Sequence, residues 1–90
     1  MNDPSRGQYS NEPYGNNAEV YDLRGVRCPM NWVRAKVRLE QLPIGAILCL
    51  RLDDPKGAAE LPRAAEAEGY AVLEICHDAQ ANEWHIVIQK

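Results

Sequence analysis

The chain has 90 residues, of which 46% are hydrophobic and 26% are charged, and its formal net charge is −3. This length suits one globular domain, and the acidic balance argues against a general nucleic-acid binder, which normally carries a basic excess. No segment reaches the roughly 20 apolar residues that cross a bilayer, and the N-terminus lacks the apolar core of a signal peptide. We therefore expect a cytoplasmic protein that binds neither a membrane nor nucleic acid directly.

The three cysteines, Cys28, Cys49 and Cys76, are odd in number and show no C-x-x-C spacing. Structural disulfides are rare in a reducing compartment. Consecutive strand residues point to opposite faces, which also argues against a metal pair at Cys76 and His77. We therefore expect no structural disulfide, no metal and no cofactor.

The first 17 residues contain no Val, Ile or Leu and are rich in Asn, Pro, Gly and Ser. Such a segment buries too little apolar surface to offset its ordering entropy. We predict a disordered tail over 1–17 and one folded domain over 18–90. The domain begins with a strand over Ala18–Asp22, which ends before a turn at Gly25.

A helix is predicted next, over Cys28–Leu42, with Pro29 at its first position, where a missing N–H costs nothing. Four residues at helical spacing form its predicted buried stripe: Trp32, Ala35, Leu39 and Leu42. Pro43 and Gly45 end the helix.

A second strand follows over Ala46–Leu52 and places alternate leucines on one face. A turn at Asp53–Pro55 leads to a second helix over about Gly57–Glu68, with Asp54 or a neighbour as its cap. Because Pro62 removes an interior hydrogen bond, we predict a loose first turn before it and a regular helix from Pro62 onward.

Two further strands, Ala71–His77 and Glu83–Gln89, complete the order β-α-β-α-β-β. By alternation, five of their apolar residues are expected to share the core: Leu73, Ile75, Trp84, Ile86 and Ile88. Two helices are too few to cover both faces of a four-stranded sheet. The predicted fold class is therefore α/β (α+β), a two-layer sandwich with a mixed four-stranded sheet and both helices on one face.

The segment Arg24-Gly-Val-Arg-Cys-Pro29 is the part of the chain most typical of a reactive thiol. Cys28 lies at the predicted start of a helix, where free backbone N–H groups and the positive end of the helix dipole stabilise an anion. Arg24 and Arg27 would stabilise a thiolate further if either lay within a few ångströms. The alternative is that Cys28 is a small apolar residue in a turn.

The window from position 24 to position 38 holds five basic residues and no acidic one: Arg24, Arg27, Arg34, Lys36 and Arg38. A basic rim around a thiolate or persulfide would favour the anion and steer acidic partners toward it. The alternative is that the helical members of this set form the solvated face of an amphipathic helix.

The stretch Asp22-Leu-Arg-Gly-Val-Arg-Cys-Pro29 resembles the D-x-R-G-x-x-C-P signature of the TusA/SirA sulfur-carrier family, and the resemblance extends over residues 18–90. It implies the same βαβαββ sandwich. It also implies a catalytic cysteine, here Cys28, that accepts sulfur as a persulfide from a cysteine desulfurase or rhodanese and passes it to an acceptor protein. The family commonly has the pattern C-P-x-P, and this chain has Asn31 in place of the second proline. We expect the thiol chemistry to survive this change and the Asn31 side chain to support the helix start.

Two signature residues are expected to support the site. Gly25 supplies a backbone conformation with positive φ, and Asp22 holds the Arg24 side chain, the Arg27 side chain or a turn amide. A populated thiolate needs no general base to attack a donor persulfide, so His77 and His85 are expected to be ordinary strand residues.

Two other functions fit the sequence. One is a non-catalytic protein-interaction or regulatory module that uses the basic helix face. The other is a redox-sensing thiol, with Cys49 or Cys76 approaching Cys28 in space. A monomer is the default for so small a carrier, and the destination of the sulfur stays open.

Overall fold

The computed structural model describes residues 18–90, and the tail predicted over 1–17 lies outside the described residues. The order of elements is the predicted one. The strands and helices are β1 (Ala18–Asp22), α1 (Met30–Gln41), β2 (Ile47–Leu52), α2 (Pro55–Ala67), β3 (Ala71–Asp78) and β4 (Glu83–Gln89). In this part of the chain, neither helix is long and apolar enough to span a membrane.

The four strands form one mixed sheet in the order β1-β2-β4-β3. β1 runs parallel to β2, and β4 runs antiparallel to both of its neighbours. Alternate residues of the two central strands face the helices and are fully buried, namely Leu48, Leu50, Leu52, Ile86 and Ile88. They pack against Ala35 and Leu39 of α1 and Leu61 and Ala65 of α2. The predicted two-layer sandwich, with both helices on one face, is confirmed.

Helix α1 begins two residues later than predicted, at Met30, and Pro29 precedes it with a cis bond to Cys28. Its buried residues are Asn31, Ala35 and Leu39. The predicted stripe is confirmed at Ala35 and Leu39, and Trp32 and Leu42 at its two ends are partly buried and pack against the core. Buried Asn31 was not predicted, and its amide occupies the space where a Gly57 side chain would be.

Helix α2 is regular from Pro55 onward, so the prediction of a loose turn before Pro62 was wrong. Asp54 caps the helix by accepting a hydrogen bond from the Lys56 N–H at 3.3 Å, and Pro55 occupies the first position, where proline is favoured. Pro62 is buried in the helix interior.

Two of the predicted core residues of β3 are exposed: Leu73 at 40% and Ile75 at 53%. The register shifts between Val72 and Glu74, and Val72 is the β3 residue that packs against the core. Ile75 pairs with buried Ile86, so both side chains lie on the helix-bearing face. Ile75 is nevertheless exposed because β3 is an edge strand and the helices cover the centre of the sheet.

Candidate functional site

The cysteine loop, which we define as residues 23–29, connects β1 to α1 and is held at several points. The N–H of Leu23 donates to the Arg51 carbonyl at 2.8 Å, and the Leu23 side chain is fully buried. Gly25 has φ +86°, the left-handed region that favours glycine. Its N–H donates to Oδ1 of Asp53 at 2.8 Å. The loop is therefore tied both to β2 and to the turn that follows it.

Cys28 lies where the N-terminal ends of both helices meet. It precedes the first residue of α1 by two positions. Its N–H donates to Oδ2 of Asp54 at 2.8 Å, and Asp54 is the cap of α2. The N-terminal ends of both helices therefore lie close to the Cys28 backbone, and the Asp54 carboxylate bridges them. The sequence analysis counted only the first helix end.

The Cys28 thiol is free and partly exposed. It lines a cavity of about 500 Å³ between α1 and α2, which we call the cysteine cavity. Its other lining residues are Pro29, Asn31, Trp32, Lys56, Glu60, Leu61, Arg63 and Ala64. Cys28 thus lines a recess with apolar walls and charged groups contributed by α2.

Arg24 is bound to acids on the face of the sheet that carries no helix. Asp22 accepts hydrogen bonds from the Arg24 side chain at 2.7 and 2.9 Å and from its backbone N–H at 3.0 Å. These bonds hold the pKa of Asp22 well below its usual range and raise the pKa of Arg24. Asp22 therefore holds the Arg24 side chain, which is one of the arrangements expected. Arg24 does not line the cysteine cavity.

Glu83 is the centre of a charge cluster that the sequence analysis missed. Its side chain is buried, yet it accepts two hydrogen bonds from Arg51 at 2.9 and 3.2 Å and lies 2.7 Å from Nε2 of His85. Arg24 approaches it at 3.7 Å. The hydrogen bonds from Arg51 and then from His85 lower the pKa of Glu83 to about 2. Antiparallel pairing of β2 with β4 places Arg51 beside His85, and no local motif in the sequence signals that proximity.

The remaining basic residues of the predicted rim do not line the cysteine cavity. Arg27 lines a separate depression of about 270 Å³ beside Asp53 and Asp54, and Arg34 lines another of about 400 Å³ near the start of β1.

The other two cations of the helix face have acidic partners. Lys36 pairs with Glu68 at 3.3 Å, and Arg38 pairs with Glu19 at 2.6 Å. The Arg38 hydrogen bond lowers the pKa of Glu19. Much of the basic helix face is therefore neutralised by ion pairs.

One family model matches nearly all of the described residues. Residues 19–90, which include the cysteine loop, match the family model described as sulfurtransferase TusA. The chain belongs to the TusA family.

Two relatives of the chain are described as candidate sulfur carrier proteins. One, from Archaeoglobus fulgidus, is 36% identical over 72 residues, which cover 80% of this chain and 81% of the relative. Another, from Thermotoga maritima, is 34% identical over 71 residues, which cover 79% and 89%. A solved structure of a SirA-like protein from Desulfitobacterium hafniense aligns with a TM-score of 0.69 and 25% identity, covering 78% of this chain and 93% of that one.

Asn31, the departure from the C-P-x-P pattern of the TusA family, lines the cysteine cavity and is fully buried. Its Nδ2 donates weakly to the Val26 carbonyl at 3.4 Å, which links the helix start to the cysteine loop. Among residues 18–90, no donor reaches its Oδ1.

No three His, Cys, Asp or Glu side chains among residues 18–90 are arranged to hold a metal ion.

Proposed function

We propose that this TusA-family protein is a sulfur carrier that accepts sulfur as a persulfide on Cys28 and relays it to an acceptor protein. The observation that carries the proposal is the position of the Cys28 thiol, which is partly exposed, lines a cavity and lies at the N-terminal ends of two helices. Family membership and the descriptions of the relatives support the same function.

The chemistry requires one nucleophilic sulfur and no redox cofactor. The Cys28 thiolate attacks the outer sulfur of a donor persulfide, the donor's S–S bond breaks, and the donor cysteine leaves as a thiolate. An acceptor thiolate then attacks the outer sulfur now held on Cys28 and restores the Cys28 thiolate. The two helix ends stabilise this anion in both steps.

The donor is a cysteine desulfurase or a rhodanese, and it needs a contact surface near Cys28. Helix α1 exposes Met30, Val33 and Val37 at 49%, 44% and 50%. Their spacing places them on one helix face, and we call them the apolar stripe. The stripe begins two residues after Cys28. Contiguous exposed apolar side chains mark interaction surfaces more often than scattered ones do, so we assign the stripe to contact with the protein donor.

The test is to incubate the protein with a cysteine desulfurase and cysteine, then measure intact mass. Wild type should gain the mass of one or more sulfur atoms, and Cys28→Ser should gain none. Cys76→Ser is the matched control because Cys76 is the exposed cysteine on β3, and it should load like wild type. Equal loading of wild type and Cys28→Ser would contradict the proposal.

A further inference from the structure

We propose that the cysteine cavity is a binding site for a small anionic thiol or its persulfide, so that Cys28 exchanges sulfur with a low-molecular-weight carrier as well as with proteins. This binding site rests on the proposed function, because the sulfur it exchanges is the one held on Cys28. Its ligand is chemically distinct from a protein donor, which the apolar stripe would contact outside the cavity.

The size and lining of the cavity fit a small molecule. Its volume of about 500 Å³ lies within the roughly 300–1,000 Å³ that is usual for ligand pockets. Pro29, Trp32, Leu61 and Ala64 provide apolar walls, and the Trp32 ring is itself packed edge-on against Tyr70, with centroids 6.4 Å apart. The outer sulfur of a persulfide alone would leave most of this space unfilled.

The charges in the cavity favour an anion. Lys56 and Arg63 line it from α2, and neither forms an ion pair with any residue that the structure describes. Glu60 lines the same cavity, so these three side chains carry one net positive charge. Lysine and arginine are the side chains that bind carboxylates through charge-assisted hydrogen bonds. A ligand with its sulfur at Cys28 and a carboxylate at these cations uses both features of the site.

The ligand class follows from the thiol and the two cations together. A small molecule that exchanges sulfur at Cys28 and binds Lys56 and Arg63 carries a thiol and at least one carboxylate. A short anionic cysteine peptide has both groups.

The transfer step balances without an oxidant or reductant. The Cys28 thiolate attacks the outer sulfur of the peptide persulfide, and a new S–S bond forms as the peptide's own S–S bond breaks. The peptide leaves as a thiolate that takes a proton from water, and Cys28 carries the outer sulfur. The reverse transfer needs only the free peptide thiol.

The first experiment measures equilibrium binding separately from chemistry. The protein carries Cys28→Ser, to block exchange, and Trp84→Phe, to leave Trp32 as the fluorophore, since these are the two tryptophans of the chain. S-methylglutathione should change the Trp32 fluorescence in a saturable way. Adding Lys56→Gln and Arg63→Gln should raise the Kd about tenfold or more, as expected for loss of a charge-assisted contact. A change that does not saturate, or a Kd that the added substitutions leave unaltered, would overturn the binding site.

The second experiment compares sulfur donors. Glutathione persulfide and the cationic cysteamine persulfide each load Cys28, and intact mass gives the two rates. The ratio of the glutathione rate to the cysteamine rate should fall about tenfold in Lys56→Gln/Arg63→Gln. The matched control, Lys36→Gln/Arg38→Gln, makes the same change in net charge on α1 outside the cavity and should keep the wild-type ratio.

The outcomes separate the two proposals. A ratio that stays the same in Lys56→Gln/Arg63→Gln, with Cys28 still loaded, would overturn the small-ligand site and leave the sulfur carrier intact. If neither persulfide nor a desulfurase loads Cys28, the sulfur carrier itself is wrong. If the double variant slows loading by the desulfurase only, the two cations serve a protein donor and the small-ligand site is wrong.

Discussion

The carboxylate of Asp54 accepts a hydrogen bond from the backbone N–H of Cys28 at 2.8 Å, across 26 positions of sequence. The same side chain caps α2 through the N–H of Lys56. One residue therefore sets both the position of the thiol and the start of the helix whose side chains line the cysteine cavity.

Substitution of Asp54 by alanine should remove both bonds. Loss of a cap of this kind costs about 1 kcal/mol of stability, and urea unfolding at pH 7 would measure it. Asp54→Asn keeps one acceptor oxygen and replaces the other with an NH2 donor, so it can keep only one of the two hydrogen bonds and should lose part of this stability. An alanine variant as stable as wild type would show that neither hydrogen bond stabilises the protein.

The same pair of variants tests the local electrostatics of Cys28. Asp54→Asn removes a negative charge next to the Cys28 backbone and keeps one acceptor oxygen, so iodoacetamide should alkylate Cys28 faster than in wild type at pH 7. Cys76 serves as an internal reference in the same mass spectrum, and its rate should not change. A slower reaction at Cys28 would mean that the Asp54 charge does not oppose the thiolate.

Gly57 should be intolerant of alanine even though alanine is the better helix former. A Cβ at this position would overlap the Asn31 amide, so Gly57→Ala should lower the free energy of unfolding by about 1–3 kcal/mol, as overpacking does. In an Asn31→Ala background the overlap disappears, and the same change should be neutral or stabilising. A double-mutant cycle in denaturant measures this coupling, and additive effects would exclude the predicted contact.

Acid should weaken the Glu83 cluster. The pKa of Glu83 is lowered from 4.5 to about 2, first by the hydrogen bond from Arg51. A carboxyl whose folded pKa lies below its unfolded value adds stability that is complete above the unfolded pKa and is lost as pH falls through the folded one. The difference in unfolding free energy between wild type and Glu83→Gln should therefore be constant above about pH 5.5 and shrink between about pH 4.5 and pH 2.

Denaturant titrations at several pH values measure this difference. Glu66→Gln makes the same substitution at an exposed position of α2 and serves as the control. A gap between wild type and Glu83→Gln that stays constant down to pH 2 would contradict the role assigned to the Glu83 charge.

A charge in the apolar stripe should separate protein donors from small ones. Val33→Glu places a carboxylate among the exposed apolar side chains of α1, so loading of Cys28 by a cysteine desulfurase should slow severalfold. Loading by glutathione persulfide should not change, because Val33 does not line the cysteine cavity. Ile44→Glu is the matched control, since Ile44 is 91% exposed and lies outside the stripe. Equal effects of the two substitutions would assign the loss to net charge alone.

Local sequence patterns were sufficient to predict the order of the elements and the position of the cysteine loop. Leu48, Leu50 and Leu52 alternate along a strand, so one face of that strand had to be buried, and the structure buries all three. The Asp-Asp-Pro turn indicated a helix cap, and Asp54 provides it. These signals depend on neighbours within a few positions along the chain, which is why the sequence by itself determined the βαβαββ order, the fold class and the place of Cys28 in a family signature.

Only the tertiary structure decided which groups surround that cysteine. The sequence analysis named Arg24 and Arg27 as cations that would stabilise the thiolate if either lay within a few ångströms, whereas it had no signal for Lys56 and Arg63, about 30 positions away, which line the same cavity as Cys28. Likewise, alternation predicted burial for Ile75, and its place on the edge strand left it exposed. Periodicity specifies which face of an element a residue occupies. The packing of distant elements decides what covers that face and which charges meet there.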